Sequence, residues 1–460
     1  MTRAAAEYAD LARTDLDLAR ACASLERARR TQGGVEASDP QPLAQHRAVS
    51  GRRALQILDE LAPSSADGPR VRAQARMVLH LAIARIGFES GAEVAAARAI
   101  ADAGVEIAGT PPSRVPWTDA ARALVEVRVA PAMDPVLTAM AARGPAIAAA
   151  NRRLGETSFE AARQLGLPHP EARFVASAEG VEGVIGAAQT FLDRTEALWT
   201  DLVAHARRRA AAPVWRPVDT LALALAPDAP RGWPSRITAR WFAEILPGLA
   251  KRAEIAPDSL PAALGGASFA RALGVFGAAL MRPPASLPFS LARDPTAPRA
   301  LLFSALFAGL PGAAIFHARV LGEPAGTARD QARALSRAIL FAGRKAAFDA
   351  ILARTASASA DAWNELSFRV FGAPVPATLA GAWPRRRPDA VCRFEAWLLA
   401  RDREGDLVRR FDEDWFRNPR AEAALLAEAS GPARDFEPHP EGQLAPAAED
   451  AARRFQEVLA

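Results

Sequence analysis

Cysteine, lysine and tyrosine are all scarce in this sequence. Cys22 and Cys392 are the only cysteines, too few for a disulfide framework or a thiolate zinc site. Neither has a neighbouring charge pattern that would activate a thiolate, and both read as small residues on amphipathic helices. The six histidines are His46, His80, His169, His205, His317 and His439, and no two stand three or four apart. No helix face can therefore offer two imidazoles to one metal. His169 and His439 sit beside prolines and read as exposed loop histidines, whereas His317, behind Phe316 in an apolar run, reads as a satisfied core histidine. There is no GxSxG elbow, no Walker phosphate loop and no GxGxxG after a strand, which excludes the common signatures of serine hydrolases and nucleotide binding. The acids Asp412, Glu413 and Asp414 cluster as helix-end acids do. The sequence predicts no cofactor and no metal.

Charge of one sign is also lacking. The chain has 57 basic and 52 acidic residues, a net +5 over 460 residues. Its high isoelectric point reflects the near-total use of arginine, since Lys251 and Lys345 are the only lysines. Basic and acidic residues interleave, as in Arg401-Asp402-Arg403-Glu404, the pattern of solvated helix faces. The densest basic runs, Arg207–Arg209 and Arg385–Arg387, adjoin prolines and lack a base-stacking aromatic pattern, so they read as helix ends or loops rather than a nucleic-acid site. No apolar run near Met1 has the form of a secretory signal. The segment Ala300–Ala318 carries no formal charge apart from His317, but Ser304, Gly309, Pro311 and Gly312 interrupt it, whereas a bilayer span takes about 20 mostly continuous apolar residues. It reads as a buried helix ending near Gly309, a turn and a second helix. The expectation is a cytoplasmic protein without a membrane partner.

What the sequence does have is helical periodicity. Half of the residues are apolar, enough for a sizeable core and against wholesale disorder. Apolar residues recur three and four apart over 4–30, 49–62, 68–87, 92–107, 117–129 and 133–153, while strand-like alternation is nearly absent. Alanine, leucine and arginine dominate, all strong helix formers. Thr157 with Glu160 has the form of a capping box before Phe159–Leu165, and Asn418-Pro419 that of a cap before Ala421–Ala429. Breaks fall at Gly33-Gly34, Pro63–Pro69, Thr110–Pro116, Pro213–Pro234, Pro283–Pro295 and Pro432–Pro446. The 212–235 stretch, with Trp215 and Trp233, reads as a junction, a lid or two short helices. No repeat period is present. The fold class is all-α: an N-terminal helical region over 1–115, a helical core over 116–435, and a loop with a short helix over 436–460.

The stretch Phe394-Glu395-Ala396-Trp397-Leu398-Leu399, continuing through Phe411-Asp412-Glu413-Asp414-Trp415-Phe416-Arg417-Asn418-Pro419, resembles the closing helices of the oligoendopeptidase-type helical zinc metallopeptidases. A second passage, Asn151, Leu154-Gly155 and Ser158-Phe159, is similar to one that precedes the catalytic half of that family. The resemblance implies one long helical scaffold over roughly residues 115–430, in two halves around a cleft. It also implies a helix carrying His-Glu-x-x-His, whose spacing holds zinc while the glutamate activates water. In the corresponding place stands Leu301-Leu302-Phe303-Ser304-Ala305-Leu306-Phe307-Ala308. Phe303 and Phe307 occupy the ligand positions and Ser304 that of the base. No glutamate lies between Glu323 and Glu365 to act as third ligand, and Tyr8 is the sole tyrosine. The resemblance thus implies a catalytically dead member, while the residues alone read as an apolar core helix.

Three functions stay open on the sequence: a non-catalytic peptidase-like protein binding a peptide, protein partner or apolar ligand in a residual cleft; a plain structural protein; and a metal-independent enzyme built around His317 or the 212–235 loop. A surviving cleft beside residues 299–318 would be dry-floored and would favour an extended apolar segment, with arginines holding a terminal carboxylate.

Overall fold

Periodic alanine, leucine and arginine give helices in nearly every place the spacing marks. The computed structural model describes residues 10–32, 44–63, 67–107, 113–121, 133–211, 214–224, 237–256, 259–261, 266–282, 287–293, 298–384, 389–430 and 442–459. In chain order the helices are α1 (Leu11–Gln32), α2 (Arg52–Leu61), α3 (Gly68–Ser90), α4 (Ala92–Asp102), α5 (Met133–Leu165), α6 (Gly180–Arg209), α7 (Pro217–Ala224), α8 (Ala239–Ile245), α9 (Pro247–Ala250), α10 (Gly266–Leu280), α11 (Phe289–Arg293), α12 (Pro298–Gly309), α13 (Ala314–Val320), α14 (Ala325–Leu352), α15 (Ala360–Phe371), α16 (Ala390–Phe411), α17 (Pro419–Ser430) and α18 (Leu444–Leu459). The all-α class holds.

Three local readings need correcting. The run 92–107 is not one helix. Helix α4 ends at Asp102, and β1 (Val105–Ile107) pairs antiparallel with β2 (Ser113–Val115), Val105 opposite Val115. The sequence Val105-Glu106-Ile107 alternates buried, exposed, buried, and β-branched residues suit that pleat. The Thr157–Glu160 capping box does not form, because α5 runs unbroken from Met133 to Leu165. The Thr157 hydroxyl donates back to the Arg153 carbonyl at 2.8 Å and Ser158 to Leu154 at 2.9 Å, the in-helix alternative to capping. Finally, the C-terminal helix α18 is 16 residues long rather than short, and it docks on α6.

Other expectations hold. Asn418 Oδ1 accepts the Arg420 N–H at 3.0 Å as the cap of α17. The segment after Pro298 is a helix to Gly309, a 3-10 turn over Leu310–Gly312, then α13. No single helix among the described residues is long and apolar enough to cross a membrane. Of the 212–235 stretch, Trp215 and α7 are described, with the Trp215 indole donating to Thr220 at 2.8 Å. Trp233, His439 and Arg385–Arg387 lie outside the described residues.

A central layer of α6, α12, α14, α16 and α18 carries most of the core, with α10 packed closely on α12. Val105, Ile107 and Trp117 join this core. Leu18, Leu55, Val71, Val78 and Leu81 form a separate N-terminal cluster, which touches the body through Leu165, Phe174 and Cys392. Arg344, fully buried on α14, ties the layer together: it donates to the Leu192 carbonyl, to Thr195 at 2.5 Å, to Glu196 at 2.8 Å and to the Arg369 carbonyl at 2.7 Å. A buried guanidinium persists when its charge and most of its donors are met, as the terminal nitrogens of Arg344 are.

Just after α16, Asp412 adopts φ +71° and ψ 175°, a region almost confined to glycine. Replacing Asp412 with glycine is expected to stabilise the protein by about 1 kcal/mol by removing that strain. A denaturant midpoint no higher than that of the parent would show that the turn is not strained.

Candidate functional site

Helix α12 brings Phe303, Ser304 and Phe307 to the centre of the molecule. Phe303 and Phe307 are fully buried and Ser304 is half-buried. Glycines on α10 permit the close approach: a Cβ on Gly277 would fall 2.2 Å from the Phe303 carbonyl oxygen, and one on Gly274 would fall 3.1 Å from Ser304 Oγ. Phe307 meets Phe276 edge-on with centroids 5.3 Å apart, and Trp415 edge-on at 5.9 Å. Two sequence stretches singled out independently, the apolar helix and the Asp-Glu-Asp-Trp-Phe turn, are therefore in direct contact. Among the described residues no three His, Cys, Asp or Glu side chains are grouped so as to hold a metal ion.

The histidines fall into two cases. His317 is buried as expected, with Nε2 donating to the Pro311 carbonyl at 2.8 Å, and burial holds its pKa below the usual value, disfavouring the charged form. The reading of His169 as an exposed loop residue is wrong. It is buried, its Nε2 donates to the Ala353 carbonyl at 2.8 Å, and its Nδ1 accepts the Glu171 N–H at 3.0 Å, which fixes the tautomer. The turn folds inward because its neighbour Glu171 satisfies a helix end. The Glu171 carboxylate accepts the N–H groups of Val391 at 2.9 Å and Cys392 at 3.1 Å, in the first turn of α16. From α16, Glu395 returns the arrangement, accepting the N–H groups of Ala176 and Ser177 at 2.6–3.1 Å. The two carboxylates clasp segments more than two hundred residues apart, and sequence spacing gave no signal of it.

Two cavities adjoin this framework. A smaller one of about 240 Å³ is lined by Asn151, Gly155, Ser158, Phe159, His169 and Trp363. Asn151 donates from Nδ2 to the Gly381 carbonyl at 3.0 Å, and Gly155 lets the Ala356 backbone approach α5. The Asn151 passage is thus a packing device for the neighbouring turns.

The larger is a groove of about 690 Å³ between the turn after α12, helices α14 and α16, and α18. Leu310, Ile315, Ile339, Val408, Phe455 and Val458 give it apolar walls, and Trp415 lies in its floor. Six arginines (Arg329, Arg333, Arg401, Arg409, Arg453 and Arg454) and three glutamates (Glu404, Glu413 and Glu457) also line it. Some of these arginines are engaged within the fold. Arg401 pairs with Glu404 at 2.6 Å and donates to the Ala305 carbonyl at 2.7 Å, Arg454 pairs with Asp450 at 2.6 Å, and Arg453 pairs with Asp450 and Glu457. The others are not neutralised at close range. Arg409 reaches Asp406 only at 3.8 Å, Arg329 donates to the carbonyl of Ala325 in its own helix, and Arg333 has no carboxylate partner among the described residues.

No protein-family model, curated protein or solved structure matches this chain. The peptidase resemblance stands on the motif residues quoted above.

Proposed function

We propose that this chain is a non-catalytic, peptidase-like helical binding protein, and that the groove between α14, α16 and α18 holds an apolar segment of a partner. The observation that carries the reading is the groove itself. At about 690 Å³ it lies within the usual range of ligand sites, roughly 300–1,000 Å³, and it adjoins residues 309–315, beside the helix where the family would build its catalytic centre. Apolar walls favour burial of apolar side chains, worth about 25 cal/mol per Å² removed from water. The positions corresponding to the zinc ligands hold phenylalanines packed into the core, which favours binding over hydrolysis.

Titration with a fluorescently labelled leucine-rich peptide is expected to give saturable binding, lost in a Val458→Glu variant that places a charge on the apolar wall. Val458 is 41% exposed, so this variant should keep its fold. In parallel, elemental analysis is expected to find far less than one zinc per chain, and no peptide hydrolysis that a chelator abolishes. Absence of binding would overturn the groove reading, and chelator-sensitive hydrolysis with stoichiometric zinc would overturn the non-catalytic one.

A further inference from the structure

The charge along the first half of α14 departs from the rest of the molecule. Elsewhere arginines are commonly paired: Arg70 with Asp15, Arg216 with Asp219, Arg369 with Glu196, Arg401 with Glu404, Arg403 with Asp406 and Glu428, and in the second half of α14 itself Arg344 pairs with Glu196. On α14, Arg329, Arg333 and Arg337 recur every four residues, which places them along one side of the helix. None makes an ion pair among the described residues. Asp330, the only acid on this stretch of α14, pairs with none of them. Arg337 is half-buried with Nε unpartnered. Burial, together with repulsion from Arg209 at the end of α6, holds its guanidinium below the ordinary value. The fold brings two arginines together there, and neither makes an ion pair among the described residues, an arrangement that favours an added anion.

The track overlaps the groove and runs out of it at Arg337. Arg329 and Arg333 line the groove beside Ile315 and Ile339, and Arg337 follows one turn further along α14. We infer that the occupant of the groove is a peptide with an apolar block followed by an acidic block, the apolar side chains lying in the groove and the carboxylates running along Arg329, Arg333 and Arg337. This rests on the groove reading above and names the chemistry of the partner. Guanidinium groups pair with carboxylates through paired hydrogen bonds, and charge complementarity at a rim sets specificity more than raw affinity. A nucleic acid would use the same cations, but Trp415 and Phe416 are only 2% and 5% exposed, so they offer no open face on which bases could stack.

The test compares three labelled probes on the full chain by fluorescence anisotropy: a leucine-rich peptide followed by glutamates, the same peptide followed by glutamines, and a single-stranded oligonucleotide. The glutamate peptide is expected to bind roughly tenfold more tightly than the glutamine peptide, with the advantage shrinking as salt rises. The double variant Arg333→Glu/Arg337→Glu should erase that preference while leaving the glutamine peptide unaffected. Arg333→Gln alone, at an exposed position, should reduce the preference without threatening the fold. Equal binding of the two peptides would overturn the acidic-partner inference and leave the groove reading intact. Failure of both peptides would overturn the groove reading itself. An oligonucleotide that binds more tightly than the glutamate peptide, and is lost in the double variant, would replace the inference with a nucleic-acid site.

Discussion

Truncating Phe307 to alanine is expected to lower the stability of the protein by about 3–5 kcal/mol, with a similar loss for Phe303. Both side chains are wholly buried, and Phe307 touches three aromatic neighbours: Phe276, Phe303 and Trp415. The close seat of α12 on Gly277 and Gly274 leaves the backbone little room to collapse into the void, which puts the cost at the upper part of the range. Equilibrium urea denaturation measures it, and an unchanged midpoint in either variant would show that α12 is peripheral. The double variant Phe303→His/Phe307→His restores the spacing of a zinc-binding helix. It should nevertheless be destabilised, since an unsatisfied buried polar group costs about 1–3 kcal/mol. Added zinc should leave its midpoint where it was, because no third ligand is gathered at that point among the described residues.

The second large effect is a dependence on pH set by Glu395. Burial pushes its carboxyl from 4.5 up to about 7, against the pull of N–H bonds from Ala176 and Ser177. Below pH 4.5 the group is protonated in both folded and unfolded chains. Between 4.5 and about 7 the unfolded chain releases a proton that the folded chain keeps, so stability falls as pH rises. At about 1.4 kcal/mol per pH unit, the loss is complete above pH 7 and amounts to roughly 3 kcal/mol. Glu395→Gln removes the titration. Stability of the variant relative to the parent should therefore improve by that amount from pH 4 to pH 8, followed by denaturant midpoints at each pH. The comparison cancels the opposite contribution of His317, whose lowered pKa costs stability as pH falls below its unfolded value. Parallel curves would mean that the carboxyl is ionised in the fold and that its three N–H bonds outweigh burial.

Helices were legible in this sequence because helix formation is local. Three–four spacing of apolar residues, together with the rarity of β-branched runs, marked α1–α3 and the start of α4 closely, and Asn418-Pro419 marked the start of α17. The reading failed where a residue's role depends on a distant partner. Thr157 has the right neighbours for a cap, yet α5 continues because its hydroxyl is satisfied within the helix. His169 has the surroundings of a loop histidine, yet its turn is drawn inward by Glu171, whose partners lie on α16. The apolar character of Phe303 and Phe307 was plain from their neighbours. The groove was not, since its walls come from four separate stretches between residues 309 and 458. The arginines of α14 could be counted in the sequence, but only the fold distinguishes Arg333, which makes no ion pair among the described residues, from Arg344, which pairs with Glu196.

Helix α18 is at once a wall of the groove and a plug of the core. Its Ala448, Ala451, Ala452 and Phe455 are buried, and Phe455 stacks on Trp397 of α16 at 6.2 Å. Until that helix docks, α6 and α16 share an uncovered apolar face and the groove lacks one of its four walls. A ligand that contacts the α18 wall favours the docked state, and by mass action holds α18 in place with a free energy that grows with the logarithm of its concentration. Protection of the α18 amides from exchange would then report occupancy, making the end of the described chain a gauge of what the groove contains.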